Sequence, residues 1–258
     1  DTDFAMTVSS GQATVAEANT MAAFSTSGAI TATISNTDIA ELDDLSTSSA
    51  DQLTITVAST SATAAQLKTV GDATGLNVTA TAVETVTGTA TQMDALLTDE
   101  GSSGDKINLD ADYAITINSG TATVTQANAY AAAAGVVTAT ISNGDIADLD
   151  DLSTASTDQL TITVTSTSAT AAQLKTVGDA TGLNVTATAV ETVTGTATQM
   201  DTLLTDEGSS GDKINLDADY AITINSGTAT VAQANAYATA AGVVTATISD
   251  QTIAALDD

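Results

Sequence analysis

The sequence predicts an α/β fold, a right-handed parallel β/α solenoid with about four strand–helix units in each repeat. Three observations predict it. Residues 51–151 match 158–258 without a gap and with eight differences, which sets a period of 107 residues. A Thr or Asp followed three positions later by an acid or amide recurs four times per period, the signature of a helix start. Stretches in which Thr alternates with Val, Ile, Leu or Ala precede the helical runs and read as strands with one buried side.

The elements follow in order. Leu53, Ile55 and Val57 alternate with Thr54 and Thr56. Thr63…Gln66 then starts a helix, with Leu67 and Val70 on one face. Leu76, Val78 and Ala80 alternate with Asn77, Thr79 and Thr81, and Thr91…Asp94 marks the next start. That second unit fits less well, because Ala95 is followed by Thr98, though Met93, Leu96 and Leu97 supply an apolar stripe. Ile115 and Ile117 flank Thr116 ahead of Thr123…Gln126, with Ala127 and Tyr130 on its face. Val137, Ala139 and Ile141 alternate with Thr138 and Thr140 ahead of Asp145…Asp148, with Leu149 and Leu152. Gly75, Gly101 and Gly135 follow helical runs, where a left-handed residue is expected.

Residues 1–50 read as the C-terminal part of a divergent preceding repeat, since Asp1 to Ala5 parallel Asp110 to Ala114 and Thr14…Glu17 is a further helix start. Residues 51–157 form a full repeat and 158–258 a second, slightly truncated one, in one continuous solenoid. A start at Asp1 rather than Met points to a fragment or a processed form. Strand–helix alternation implies parallel strands, with helices over the apolar face and the Thr face open. The alternative is a string of tandem β-sandwich modules, about one per period. The four helix starts and the Ala-rich run from Ala127 to Ala134 speak against it.

The net charge is −28, from 32 acids against four lysines (Lys68, Lys106, Lys175, Lys213), with no His or Cys. With no basic patch, nucleic acid and anionic membranes are excluded as partners. No apolar run reaches the length of a membrane span. Without His the usual nucleophile-activating base is missing, and near-identical copies offer the same surface repeatedly, so no enzyme is expected.

Hard oxygen ligands favour Ca²⁺. The better candidates are Asp99, Glu100 and Asp105, which recur unchanged as Asp206, Glu207 and Asp212 around a Gly-Ser-Ser-Gly loop. The cluster Asp145, Asp148, Asp150 and Asp151 is weaker, because Asp145 and Asp148 become Thr252 and Ala255 in the second copy. Acids at these places also serve as helix caps and solubilising charge. The second candidate is a binding face of stacked Thr: Thr54, Thr56, Thr79, Thr81, Thr138, Thr140, Thr161, Thr163, Thr186 and Thr188. Two sequons, Asn77-Val78-Thr79 and Asn184-Val185-Thr186, fit a glycan acceptor.

The Thr-, Ala- and Asp-rich composition, carried by the whole chain, resembles that of the giant repeat proteins that bacteria export as adhesins, surface layers and fibrils. The resemblance implies an extracellular or cell-surface structural role with calcium, as a rod, fibre or layer formed by self-association with neighbouring repeats or chains. The flat Thr array is also similar to those of β-solenoid ice-binding proteins. That gives the alternative function, an adhesive or binding module whose Thr face takes a glycan, mineral or ice.

Overall fold

The computed structural model describes residues 4–25, 27–100, 106–207 and 213–249, the side chains of residues 99, 100, 206 and 207 excepted. In chain order its elements are β1 (Met6–Thr7), α1 (Val15–Phe24), β2 (Ile30–Thr33), α2 (Ile39–Leu42), β3 (Gln52–Thr54), β4 (Ser61–Thr63), α3 (Ala64–Asp72), β5 (Val78–Ala80), β6 (Thr85–Thr89) and α4 (Ala90–Glu100). There follow β7 (Ile107–Leu109), β8 (Ala114–Ser119), α5 (Val124–Ala133), β9 (Val136–Thr140), α6 (Ile146–Leu149), β10 (Gln159–Thr161), β11 (Ser168–Thr170) and α7 (Ala171–Asp179). The last are β12 (Val185–Ala187), β13 (Thr192–Thr196), α8 (Ala197–Glu207), β14 (Ile214–Leu216), β15 (Ala221–Ser226), α9 (Val231–Ala240) and β16 (Val243–Thr245). The chain forms two compact units, Asp1–Thr121 with Ala132–Val137, and Ala122–Ala131 with Thr138–Asp258.

In the first unit, β1, β2 and β3 form a parallel ladder with Thr7 beside Thr31 and Thr33 beside Thr54. The bridge Thr56–Thr79 carries that ladder on to β5 and β7. A second ladder runs β4, β6, β8, with Ala62 beside Val86 and Val86 beside Ile115. The second unit repeats the pattern. There β9 pairs with β10, the bridge Thr163–Thr186 leads to β12 and β14, and β11, β13, β15 and β16 form the other ladder. All of these pairings are parallel, whereas the sandwich alternative requires antiparallel ladders. The predicted layout needs one correction. Two strands, not one, precede each of α3, α4 and α5, while α6 follows β9 alone. The extra strands β4, β6 and β7 are only three to five residues long, and β4 and β6 are rich in Thr, so alternation alone does not separate them from loop or cap residues.

Helix starts are local chemistry. Thr14, Thr63, Thr170 and Thr230 each accept from the backbone N–H three residues on, and that residue's side chain accepts from the cap's own N–H. At α4 the structure moves the predicted start by two residues. Thr89, not Thr91, is the cap: the Gln92 N–H reaches Thr89 Oγ1 at 3.2 Å, and the Thr89 N–H reaches Gln92 Oε1 at 2.9 Å. Met93 and Leu96 then fall at plus four and plus seven, both fully buried. With Thr89 as the cap, this unit carries the same apolar stripe as the others.

Two of the predicted left-handed glycines serve another purpose in the structure. Gly75 and Gly135 do not adopt positive φ; among described residues Gly11, Gly120 and Gly227 do. Gly75 and Gly135 are needed for close approach instead. A Cβ there would lie 2.6 Å from the carbonyl oxygen of Ser49 or of Asp112, in the neighbouring turn of chain. Gly101 lies outside the described residues.

The core of the first unit lies between these ladders and the helices. Leu53, Val78, Val86, Ile107 and Ile115 point inward from the strands, and Leu67, Val70, Met93 and Leu96 from α3 and α4, all fully buried. In the second unit Leu160, Val185, Val193, Ile214, Ile222, Leu174, Val177, Met200 and Leu203 repeat this set. The inward rows are Val, Ile, Leu and Ala, whose removal from water contributes roughly 25 cal/mol per Å².

Candidate functional site

The open face of the first ladder is the most regular surface in each unit. In the first unit, Thr56, Thr79 and Asn108 share one outward row across three adjacent strands. Thr33 and Thr54 share a second row. In the second unit the rows are Thr163, Thr186 and Asn215, and Thr140 with Thr161. All of these side chains are exposed. Neighbouring strands in a sheet lie about 4.8 Å apart, so each row offers hydroxyls and amides at that spacing.

Three of the ten predicted face residues lie elsewhere or differ. Thr81 and Thr188 sit in the turns after β5 and β12. Each helps line a corner cleft, about 320 Å³ with Glu84, Asp110, Asp112 and Tyr113, and about 420 Å³ with Glu191, Asp217, Asp219 and Tyr220. Thr138 is half-buried beside Gln159. Thr116 belongs to the other ladder, beside Thr87, and is half-buried. The array is therefore short, two or three residues per row, and its longer rows end on Asn108 and Asn215.

Several of the described acids are engaged with the fold. Asp38 and Asp145 cap α2 and α6 through the N–H groups of Ala40 and Ala147, at 3.0 and 2.9 Å. Asp148 Oδ2 accepts from Asn143 at 3.1 Å, and Asp43 Oδ2 from Gln66 at 3.0 Å. Among described residues no group of three or more His, Cys, Asp or Glu is placed to hold a metal ion. Of the predicted calcium ligands, Asp105 and Asp212 lie outside the described residues, as do the side chains of Asp99, Glu100, Asp206 and Glu207. Lys68 pairs with Asp72 at 2.7 Å and Lys106 lies 4.0 Å from the same carboxylate. These exposed pairs contribute at most about 1 kcal/mol.

Contacts between successive turns of chain are the chemistry that sequence reading missed. Asn19 donates to the Asp44 carbonyl at 2.9 Å and accepts from the Ser46 N–H at 2.8 Å. Asn128 repeats both bonds with Asp151 and Ser153. The buried carboxylate of Asp51 accepts from the N–H groups of Ile30 and Ser48, both at 2.8 Å. Thr74, with no exposed surface, bonds both backbone groups of Leu53. The recurrence of Thr74-Gly75 as Thr181-Gly182 was the available signal, hidden by the abundance of Thr.

Two groups are electrostatically distinct. The Glu17 carboxyl titrates below its ordinary value of 4.5, because the Thr14 backbone N–H and then its hydroxyl bond the charged form. The other caps of this kind carry Gln. A depressed carboxyl contributes stability above its unfolded pKa and loses it as pH falls through the folded value. The Thr14 amide resonance is therefore expected to shift on acidification below pH 4.5 while that of Thr63 stays put, and Glu17→Gln is expected to abolish the shift. The Tyr237 phenol is pushed above its ordinary range, first by burial and then by its 2.7 Å bond to Asp201. No described helix is long and apolar enough to cross a membrane. No protein-family model, curated protein or solved structure matches the chain.

Proposed function

We propose that this chain is an extracellular structural repeat protein, a right-handed parallel β/α solenoid that extends as part of a rod, fibre or surface layer on a bacterial cell. The observation that carries this reading is the stitching of each turn of chain to the next. Parallel ladders, the Asn19 and Asn128 brackets and the buried Asp51 and Thr74 bonds all join successive turns. Such a molecule gains stability from nearest neighbours and lengthens by addition of turns. The reading includes no catalysis, nucleic acid or membrane insertion, and it places calcium only at the Asp99–Asp105 and Asp206–Asp212 loops. A compatible second role, favoured by the exposed rows Thr56–Thr79–Asn108 and Thr163–Thr186–Asn215, is adhesion to a glycan, mineral or ice surface.

Small-angle scattering tests the rod. Inserting one more 107-residue period is expected to lengthen the particle by about 19 Å, four steps of about 4.8 Å, at constant cross-section. Growth of the cross-section with unchanged length would remove the solenoid and the rod together.

A further inference from the structure

We propose that the outer side of β1 and α1 is a docking seat for a strand–helix turn of the β6–α4 kind, one that carries a hydrogen-bond donor where α4 carries Asp94. The inference rests on the stacked-turn part of the reading above. Within the chain, β1 and α1 are the divergent copy of β15 and α9. Phe4, Met6, Val8, Glu17 and Met21 fall where the later copy has Tyr220, Ile222, Ile224, Gln233 and Tyr237.

In the second unit β15 is paired on both edges, by β13 and by β16. Among described residues β1 pairs with β2 alone. The consequences for burial follow. Tyr220 is 1% exposed whereas Phe4 is 47% exposed. Ile222 and Tyr237 are fully buried whereas Met6 and Met21 are half-buried. Beside them a groove of about 370 Å³ is lined by Val8, Gln12, Ala13, Glu17, Thr20 and Met21. Burying large apolar side chains is favourable, so a seat of this composition favours a covering partner.

The second unit also shows what covers such a seat. Val193 of β13 lies beside Ile222, and α8 packs on α9. The Tyr237 hydroxyl shares its one proton between the Ala197 carbonyl at 2.9 Å and Asp201 Oδ1 at 2.7 Å, and Gln233 donates to Asp201 Oδ2 at 2.7 Å. Asp201 is the second-copy equivalent of Asp94. The α1 seat has lost both donors. Met21 carries no hydroxyl, and Glu17 presents a carboxylate where Gln233 presents an amide N–H. An acid in the covering helix would face that carboxylate unpaired, while Asn, Gln, Ser or Lys would be held by it.

The test uses the full chain with a second copy of residues 51–109 placed directly before Asp1, which reproduces the spacing within the later repeat, since Asp1 parallels Asp110. Two versions are made, one with Asp94 retained in the added copy and one with Asp94→Asn. Met6 and Val8 donate to the Ala29 and Thr31 carbonyls, which leaves the Thr7 N–H facing the seat. Hydrogen exchange at Thr7 is expected to slow by about a hundredfold in the Asn version, as pairing of an edge amide requires. It is expected to slow roughly tenfold less in the Asp version, the cost of a lost charge-assisted bond. Amides of β15 in the same sample report that the rest of the chain is folded. Unchanged exchange at Thr7 in both versions overturns the seat, and equal protection in both overturns the donor requirement. Protection that rises with concentration in the unextended chain puts a second copy on the seat and overturns the proposed occupant. The scattering test concerns length alone, so a failed seat with a normal rod is distinguishable from a failed rod.

Discussion

Replacing Thr74 by valine is expected to destabilise the chain by about 2–3 kcal/mol, measured by denaturant unfolding followed by circular dichroism. The substitution keeps shape and removes one oxygen. That oxygen accepts from the Leu53 N–H at 2.9 Å and the Leu76 N–H at 3.1 Å and donates to the Leu53 carbonyl at 2.9 Å. One hydroxyl proton and two lone pairs are thus fully used. Leu53 has no exposed surface, so its freed N–H has no water to turn to, whereas Leu76 is 37% exposed. The orphaned Leu53 groups dominate the cost. Thr74→Ser keeps the oxygen and is expected to recover most of it. Thr79→Val, on the open face, is expected to stay within about 0.5 kcal/mol of the parent. Equal losses at Thr74 and Thr79 would mean that the buried hydroxyl does not hold the turns together.

Leu67→Ala is expected to cost about 2–5 kcal/mol by the same measurement. Leu67 is fully buried on α3, which lies against α4, β4, β6 and β7. The neighbours that would have to close the cavity are tied by capping bonds and ladder pairing, so relaxation is limited. Leu174→Ala repeats the change on α7 in the second unit and is expected to cost the same within about 0.5 kcal/mol, because the helices are identical in sequence and capping. A loss below about 1 kcal/mol at either site would indicate a loosely packed core of the kind that a chain so rich in Ala and poor in aromatics could produce.

Helix starts were largely legible because they are local. A Thr cap and a Gln or Glu three residues on bond each other whatever lies beyond, and among the described residues seven such boxes are formed in full, at Thr14, Thr63, Thr89, Thr123, Thr170, Thr196 and Thr230. The error at α4 came from two overlapping candidates in Thr-Gly-Thr-Ala-Thr-Gln, where only packing of Met93 and Leu96 selects Thr89. Short strands were legible where Thr alternated with bulky apolar residues and illegible where β4 and β6 used Ala and Gly as inward positions. For the Thr face, alternation placed seven residues on exposed rows, but Thr81 and Thr188 turn the corner, since pairing with β7 and β14 stops at Ala80 and Ala187.

By itself the sequence determined the 107-residue period, the α/β class, the capping chemistry and which strand face is polar. These depend on contacts within a few residues or on direct repetition, and a linear pattern records both. The tertiary structure decided what depends on contacts 20 to 30 residues apart. It set the two ladders and their register, the use of Gly75 and Gly135 for close approach, and the duty of Asn19, Asp51 and Thr74 as bridges between turns. It also left the outer side of β1 and α1 exposed where the later copy is covered. In a chain this rich in Thr, Asp and Ala, one residue type serves as cap, strand face or buried clamp, and only the neighbouring turn determines which.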